Sequence, residues 1–433
     1  MPFETRRHAA KRLAVIGAGI AGMGAAHLLS RDHSVVLFED GDRLGGHART
    51  VLAGKNGDQP VDTGFIVFNY ATYPHLTRLF AELDVPVAKS NMSFGVSIDG
   101  GRFEYALRSL GSLLARRRNA VTPAFWRMIR DILRFNAEAP GLASDPDMTI
   151  GDLLARLETG PWFRDYYILP FSGAIWSTPT QDILGFPAQS MLRFFENHGL
   201  LDPKKNHQWY TVDGGSVQYV NRLGASLDRR GVDIRLSAGV VGVRRTGMGV
   251  EVRTRGGEWE GFDEVVFATH SDTTLSLLSD ATGVERTALS AIRYQPNEAV
   301  LHADTALMPR RRAAWASWVY SEERGTRPDR IGVNYWMNSL QPIPMNDPMF
   351  VTLNPTRAIR EELIYDQVTF AHPVYDVAAL AAQSTVRAIN GQNRTWFCGA
   401  WMRNGFHEDG IASAVDVVEA MAARPDQIVL AAE

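Results

Sequence analysis

The stretch LAVIGAGIAG at positions 13–22 decides the fold, together with VVLFE at positions 35–39. Apolar residues that read as a buried strand run into three glycines spaced Gly-x-Gly-x-x-Gly. Glu39 ends the next apolar run, 22 residues after Gly17. A strand, a glycine turn that opens a helix, and a second strand ending in a carboxylate are typical of a βαβ dinucleotide-binding unit.

Each residue type in this unit has a physical task. Gly17 allows the tight turn, Gly19 lets the backbone approach a pyrophosphate, and Gly22 lets the helix pack closely on the strand. Free N–H groups at the helix start, around Ile20 and Ala21, favour negative charge there. Glu39 is placed to accept hydrogen bonds from the ribose hydroxyls of an adenosine. A glycine-rich helix start that binds no nucleotide is the disfavoured alternative.

The composition excludes several classes of protein. The chain has 433 residues, enough for two or three domains, and its net charge of −3 gives no indication of nucleic-acid binding. A single cysteine, Cys398, excludes an internal disulfide framework and a cysteine-rich metal site, so we predict no metal. No stretch is long and apolar enough to cross a bilayer, and the glycine spacing argues against a secretory signal at positions 13–29. We therefore expect a cytoplasmic protein.

Two further motifs follow the βαβ unit. DRLGGH spans positions 42–47, and VDTGF spans positions 61–65. They resemble the Arg-x-Gly-Gly element, and the segment beneath the isoalloxazine ring, of flavoenzymes in the amine oxidase and carotenoid desaturase superfamily. His47 departs from the arginine that amine oxidases usually carry. The resemblance implies FAD as the cofactor and adds these cofactor-binding residues: Arg43, Gly45, Gly46, His47, Thr63, Gly64 and Phe65.

The C-terminal region resembles the same superfamily. TWFCG at positions 395–399 reads as a short buried strand, and a helix is predicted over 414–422 after NGFHEDGIAS at 404–413. The resemblance implies that the helix N-terminus points at the pyrimidine edge of the flavin. Asp409 and Glu408 could instead be only N-terminal caps. The cofactor-binding residues implied here are Gly399, Asp409, Gly410 and Ile411.

The sequence predicts an α/β fold with two discontinuous domains. DGGS at 213–216 precedes a helix, and strands are predicted near 232–236, 240–243 and 263–269. In related flavoproteins the region of Val241 lines the adenine through backbone hydrogen bonds. The predicted Rossmann-type FAD-binding domain, of the type with two dinucleotide-binding domains, comprises 1–80, 205–285 and 390–433. The predicted α+β substrate domain, which would face a membrane, comprises 81–204 and 286–389.

Longer motifs point to a narrower group. They are DTGFIVFN at 62–69, ILP at 168–170, AIWSTP at 174–179, YQPNEAVLH at 294–302, NYWMN at 334–338 and GFHEDG at 405–410. These resemble flavoproteins found beside, or fused to, cyclopropane fatty acyl synthases and related acyl-chain methyltransferases. The resemblance implies desaturation of a methyl-branched acyl lipid on the route to furan fatty acids, with an acyl-chain methyltransferase as a partner.

Residue patterns agree with a lipid substrate. Positions 105–135 carry seven arginines and one acidic residue, Asp131, and apolar residues recur there at helical spacing. A basic amphipathic helix suits an anionic membrane surface, although such a helix could also pack its apolar stripe on its own domain. The aromatic residues over 162–176 could line an acyl channel or form ordinary core.

Desaturation needs a hydride acceptor, which a flavin supplies, and a base. His407 is a candidate because its motif lies near the flavin in the superfamily. His302 aligns loosely with the amine oxidase lysine that is hydrogen-bonded through water to flavin N5, and Glu408 is the third candidate. Either histidine could instead be structural.

Other functions stay open on the sequence. An amine oxidase would hold its substrate between two aromatic rings, of which Phe406 or Trp336 could be one, but no convincing pair is evident. A carotenoid-type desaturase would also take hydride from a membrane lipid. A flavin-binding partner of an acyl methyltransferase would need no turnover of its own. We expect a monomer or a homodimer.

Overall fold

The computed structural model describes residues 10–143, 145, 147–202, 207–323 and 330–424. The outer parts of the predicted FAD-binding segments, at 1–9, 205–206 and 425–433, lie outside the described residues. Within the described part of the chain, no helix combines the length and apolar character that crossing a bilayer would require.

A parallel five-stranded sheet forms the first layer. Its strands, in spatial order, are Asp233–Arg235 (β10), Ser34–Phe38 (β2), Arg12–Ile16 (β1), Glu264–Phe267 (β14) and Thr395–Phe397 (β20). Helices on this sheet are Ile20–Leu29 (α1), Val217–Arg229 (α10), Ser271–Leu277 (α11), Gly283–Ser290 (α12), Val377–Ile389 (α14) and His407–Ala423 (α15).

Alternation along β1 shows why the sheet is covered on both faces. Leu13 and Val15 pack in a core with α1, α10 and α15, whereas Ala14 and Ile16 pack in a second core with α12 and α14. Successive side chains of a strand point to opposite faces, so an all-apolar strand needs a layer on each side. The second layer includes the antiparallel sheet of Val240–Arg245 (β11), Val250–Thr254 (β12) and Trp259–Phe262 (β13).

Helix α14 corrects one predicted domain boundary. Ala379, Ala382 and Val386 share a core with Phe397 and Val265 of the five-stranded sheet. The helix therefore belongs by packing with the dinucleotide-binding segments, although the sequence prediction placed it in the substrate segment 286–389.

The chain also forms two small antiparallel sheets. Thr50–Ala53 (β3) pairs with Gln59–Asp62 (β4), and Val67–Asn69 (β5) and Val87–Ser90 (β6) flank Trp209–Val212 (β9). Helix Pro74–Glu82 (α2) lies between β5 and β6 in the chain and packs on α15.

A seven-stranded mixed sheet forms the second half of the molecule. In spatial order its strands are Ile364–Val374 (β19), Arg293–His302 (β15), Phe350–Leu353 (β18), Val333–Trp336 (β17), Trp318–Glu322 (β16), Phe94–Ile98 (β7) and Phe103–Ala106 (β8). Its helices are Leu110–Leu113 (α3), Pro123–Leu142 (α4), Ile150–Arg156 (α5), Pro161–Phe163 (α6), Leu169–Trp176 (α7), Thr180–Ile183 (α8), Ala188–Asn197 (α9) and Met337–Leu340 (α13). The sheet and these helices share one large apolar core.

Candidate active site

One cavity of about 1720 Å³ connects the two halves of the molecule. It runs from the glycine turn after β1, past the start of α15, to α3 and α4. Pockets for single small ligands usually measure about 300–1,000 Å³. The cavity is therefore large enough for a cofactor and a second, extended ligand.

The glycine turn forms one end of the cavity. Gly17 has a φ of +99°, which favours glycine, and a Cβ at Gly22 would lie 1.8 Å from the Gly17 oxygen. A Cβ at Gly19 would meet no protein atom within 4 Å. Gly17, Gly19, Ile20 and Ala21 line the cavity, whereas Gly22 supports the turn from behind.

Glu39 lines the same end of the cavity. One carboxylate oxygen accepts the N–H of Ala18 at 2.7 Å, and the other accepts the N–H of Gly41 at 2.9 Å. These bonds fix the carboxylate beside the glycine turn, as binding of an adenosine ribose requires.

The second glycine pair packs directly on the first turn. Gly45 and Gly46 have φ values of +105° and +56°, and the Gly45 N–H donates to the Ala18 oxygen at 2.9 Å. Both glycines line the cavity. Arg43 does not line it, which corrects its predicted contact with the cofactor. Its guanidinium instead donates to three carbonyl oxygens of the loop, those of Leu44, Gly46 and Ala48.

Four further predicted residues line the middle of the cavity: His47, Thr63, Gly64 and Phe65. A Cβ at Gly64 would lie 1.9 Å from the His47 oxygen, so the two loops can approach this closely only with glycine there. The His47 ring stacks on Phe370 with centroids 4.9 Å apart. Burial, with the neighbouring rings of His372 and His270, lowers the pKa of His47 to about 3.

Helix α15 begins in the cavity wall, seven residues earlier than the predicted start at 414. The His407 ring stacks on Phe65 with centroids 3.9 Å apart, and its Nε2 lies 2.6 Å from the Tyr219 hydroxyl. Burial lowers the pKa of His407 to about 3, so the imidazole is neutral at pH 7. Gly399 also lines the cavity, and its N–H donates to the Ser413 hydroxyl at 2.8 Å.

Glu408 lies outside the cavity wall, which corrects its assignment as a base. Its carboxylate accepts the backbone N–H groups of His75 and Leu76 at 3.0 and 2.9 Å, in the first turn of α2. Burial raises the pKa of Glu408 to about 7. The residue joins α15 to the positive end of α2.

His302 is also wrongly predicted as a base. It is fully buried outside the cavity wall, where Nδ1 accepts the Asp304 N–H at 3.0 Å and Nε2 lies 2.7 Å from the Thr352 hydroxyl. Both ring nitrogens are thus occupied. Burial lowers the pKa of His302 to about 4.

Three predicted cofactor contacts, Asp409, Gly410 and Ile411, belong to the support of the site instead. The Asp409 carboxylate accepts the Phe406 N–H at 2.9 Å and caps α15, as the capping alternative held. A Cβ at Gly410 would lie 2.8 Å from Ile20, and Ile411 packs beside Gly24, so both allow α15 to approach α1. Val241 is 40% exposed at an irregular point of β11 and does not line the cavity.

The sequence did not indicate several polar groups that face the cavity. Asn136 Oδ1, Trp318 Nε1 and the Tyr375 hydroxyl are buried without a hydrogen-bond partner among the described residues, and all three side chains line the cavity. Unpaired buried polar atoms are costly unless a ligand or water satisfies them. The Tyr375 hydroxyl lies beside Gly405, just before the start of α15.

These features fit FAD. Gly19 leaves open space where the pyrophosphate would lie, Glu39 is placed for the ribose, and the N-terminus of α15 reaches the cavity where the flavin would lie. The unpartnered Tyr375 hydroxyl is available to a bound group beside that helix.

A family model described as flavin containing amine oxidoreductase matches residues 20–307. The chain belongs to the flavin-containing amine oxidoreductase family. The cofactor of the chain is FAD. FAD, when bound, accepts a hydride from the substrate.

Known members resemble this chain to different extents. Flavin-containing monoamine oxidase AofH of Mycobacterium tuberculosis is 26% identical over 270 residues, which cover 57% of this chain and 54% of the relative. This chain therefore spans about half the length of that curated relative.

Solved structures share the fold over nearly the whole chain. A fatty acid isomerase from P. acnes, described as producing CLA, has a TM-score of 0.69 at 16% identity, covering 95% of this chain and 99% of that chain. Putrescine oxidase bound to putrescine has a TM-score of 0.70 at 14% identity, covering 96% and 99%. At these identities the likeness concerns the fold alone.

Proposed function

We propose that this oxidoreductase desaturates a methyl-branched fatty acyl chain of a phospholipid. The observation that carries the proposal is the scarcity of carboxylates in the cavity wall. Among the described residues that line it, Glu39 is the only carboxylate, and it lies at the glycine turn. An ammonium substrate beside the flavin would find no carboxylate, whereas an acyl chain needs none.

The wall beyond the flavin position supports the same substrate class. It includes large apolar side chains of the second half of the molecule, among them Phe94, Phe171, Ile175, Ile132 and Leu133. Residues 162–176 thus supply both channel and core, since Tyr167 and Phe171 line the cavity while Phe163 is buried away from it. Large apolar side chains in the wall suit an acyl chain.

Phe406 and Trp336, the two rings that the sequence suggested for an amine-binding pair, each pack on another ring. Phe406 lines the cavity but stacks directly on Phe194, with centroids 4.9 Å apart and planes at 21°. Such close rings leave no room for a substrate between them. Trp336 lies outside the cavity wall and packs edge-on against Trp315.

We assign the proton transfer to His407. Loss of a hydride from an allylic carbon makes the adjacent C–H strongly acidic, so a weak neutral base is sufficient to take the proton. In the tautomer in which the Nε2–H of His407 donates to the Tyr219 oxygen, Nδ1 carries no proton and can accept one. Bound FAD would supply the acceptor for the hydride and Nδ1 of His407 would take the proton, which together account for the two hydrogens removed. The alternative reaction most similar to this one is that of a carotenoid-type desaturase, which would also take a hydride from a membrane lipid.

Product analysis tests the proposal. The holoenzyme is incubated in air with a detergent-dispersed phospholipid that carries a methyl-branched, monounsaturated acyl chain. We expect an extracted acyl chain that has lost two hydrogens and absorbs as a conjugated diene. Oxidation of putrescine or a carotenoid precursor instead would contradict the proposal. Absence of any product would favour a non-catalytic role beside an acyl-chain methyltransferase, which is the partner that the sequence predicts.

A further inference from the structure

The cavity opens at the surface between α3 and α4. Leu107, Leu110 and Leu133 line the cavity, yet they are 38%, 64% and 63% exposed. Exposed leucines at the mouth of a long cavity are unfavourable in water, since each leaves apolar surface hydrated. We call this opening the α3–α4 mouth.

Two more exposed apolar side chains lie in the segment after α3 and on α4. Val121 is 79% exposed and Trp126 is 44% exposed. On α4, at 100° per residue, Trp126, Arg130 and Leu133 share the outer face, while Ile129 and Asn136 turn toward the cavity. Phe125 and Met128 pack in the core, so only part of the predicted stripe is buried.

Arginines are concentrated in the same segment of the chain. Of the seven arginines of this stretch, Arg127 and Arg130 lie within 4.0 Å of Asp131, and Arg134 pairs with Glu138 at 3.1 Å. The other four are Arg108, Arg116, Arg117 and Arg118. Among the described residues no carboxylate lies within 4.0 Å of the guanidinium groups at 116–118. Burial together with the nearby Arg118 and Arg311 lowers the pKa of Arg116. The one acidic residue of the stretch, Asp131, is buried and accepts the Gly160 N–H.

We propose that the α3–α4 mouth docks on an anionic phospholipid bilayer and that an acyl chain enters the cavity there directly from the membrane. Leu110, Val121, Trp126 and Leu133 reach the acyl region, and the arginines contact lipid phosphates, a division typical of interfacial amphipathic segments. The place at which the protein docks on the bilayer goes beyond the proposed function. The entry of an acyl chain rests on the proposed function.

Labelled cysteine variants locate the docking surface. Cys398 is the only cysteine of the chain and is fully buried, so an introduced surface cysteine can be labelled alone. Val121→Cys carries an environment-sensitive fluorophore, and Met248→Cys, a position 91% exposed in the other half of the molecule, is the matched control. With phosphatidylglycerol vesicles we expect a blue shift, and quenching by bilayer-embedded quenchers, at 121 and not at 248.

Charge reversal tests the electrostatic part. The triple variant Arg116→Glu, Arg117→Glu, Arg118→Glu should bind phosphatidylglycerol vesicles about tenfold more weakly or worse. Reversal of three exposed arginines elsewhere, at positions 156, 229 and 286, is the charge-matched control and should bind nearly as the parent does.

The outcomes separate the two proposals. Equal shifts at 121 and 248, or no vesicle binding by the parent protein, would overturn docking at the α3–α4 mouth. The proposed reaction is judged separately, by product formation from detergent-dispersed lipid. Vesicle binding without any such product would leave docking supported and contradict the acyl reaction.

Discussion

His407 Nε2 lies 2.6 Å from the hydroxyl of Tyr219, across 188 positions of sequence. Burial raises the pKa of Tyr219 well above its usual value and lowers that of His407, so neither group is charged near neutrality. With Phe65 stacked on one face, the imidazole at the start of α15 has one defined orientation.

Replacement of Tyr219 by phenylalanine should slow flavin reduction by the lipid about tenfold. Poorer positioning of His407 would raise the activation free energy by roughly 1.4 kcal/mol, which corresponds to that factor. Stopped-flow absorbance measures the rate. Tyr105→Phe is a matched control, because that buried hydroxyl donates a 2.6 Å bond to the Tyr166 oxygen outside the cavity. Both variants should lose about 1 kcal/mol of stability, but only Tyr219→Phe should be slow. Equal rates in the two variants would show that Tyr219 has no positioning role.

Replacement of Gly19 by leucine should abolish FAD retention while the chain still folds. The residue has a φ of −74° and open space beyond its Cα, so the new side chain enters only the cavity. Gly283→Leu is the control, since that glycine also has no atom near its Cβ position but lies outside the cavity wall. The ratio of flavin to protein absorbance measures FAD retention in each variant, and a thermal melt measures whether the variant is folded. A Gly19 variant with full flavin content would contradict the phosphate assignment.

Substitution of His302 by glutamine should cost about 1–3 kcal/mol of stability without slowing flavin reduction. The folded state holds His302 neutral with a pKa near 4, whereas the unfolded chain takes up the proton near 6.5. The contribution of the neutral ring to the free energy of unfolding is therefore fully present above pH 6.5 and is lost as the pH falls toward 4. Denaturant titrations of wild type and variant should converge at acid pH. A large loss of reduction rate would restore His302 as a catalytic candidate.

Glu408→Ala should lower stability by about 1–3 kcal/mol, because two N–H groups at the start of α2 lose their acceptor. Glu419→Ala, an exposed position of the same helix α15, is the control and should change stability by less than about 0.5 kcal/mol. Urea denaturation compares the two. Unchanged stability in the Glu408 variant would mean that the link between α15 and α2 contributes nothing.

Local patterns predicted much of the fold. The glycine spacing and Glu39 predicted the βαβ unit, and short apolar runs predicted the strands that became β11, β14 and β20. These features depend on neighbours within a few residues, where strand alternation and glycine turns are decided. The α/β class and the FAD cofactor followed from them.

Distant contacts decided what the sequence did not predict. Glu408 bonds to α2 across more than 330 positions, and His302 bonds to Thr352 from a neighbouring strand. Each residue type is suitable for catalysis, and only the fold shows that its polar atoms are already occupied. Tyr219 and Tyr375 gave no signal because ordinary core tyrosines have the same local pattern.

Anaerobic mixing of the purified yellow protein with the methyl-branched phospholipid tests the central claim most directly. The flavin's visible absorbance reports reduction, with putrescine and a carotenoid precursor mixed in parallel. We predict rapid bleaching by the branched lipid alone, in keeping with a cavity whose only described carboxylate is Glu39. Bleaching by putrescine, with no response to the lipid, would contradict the account.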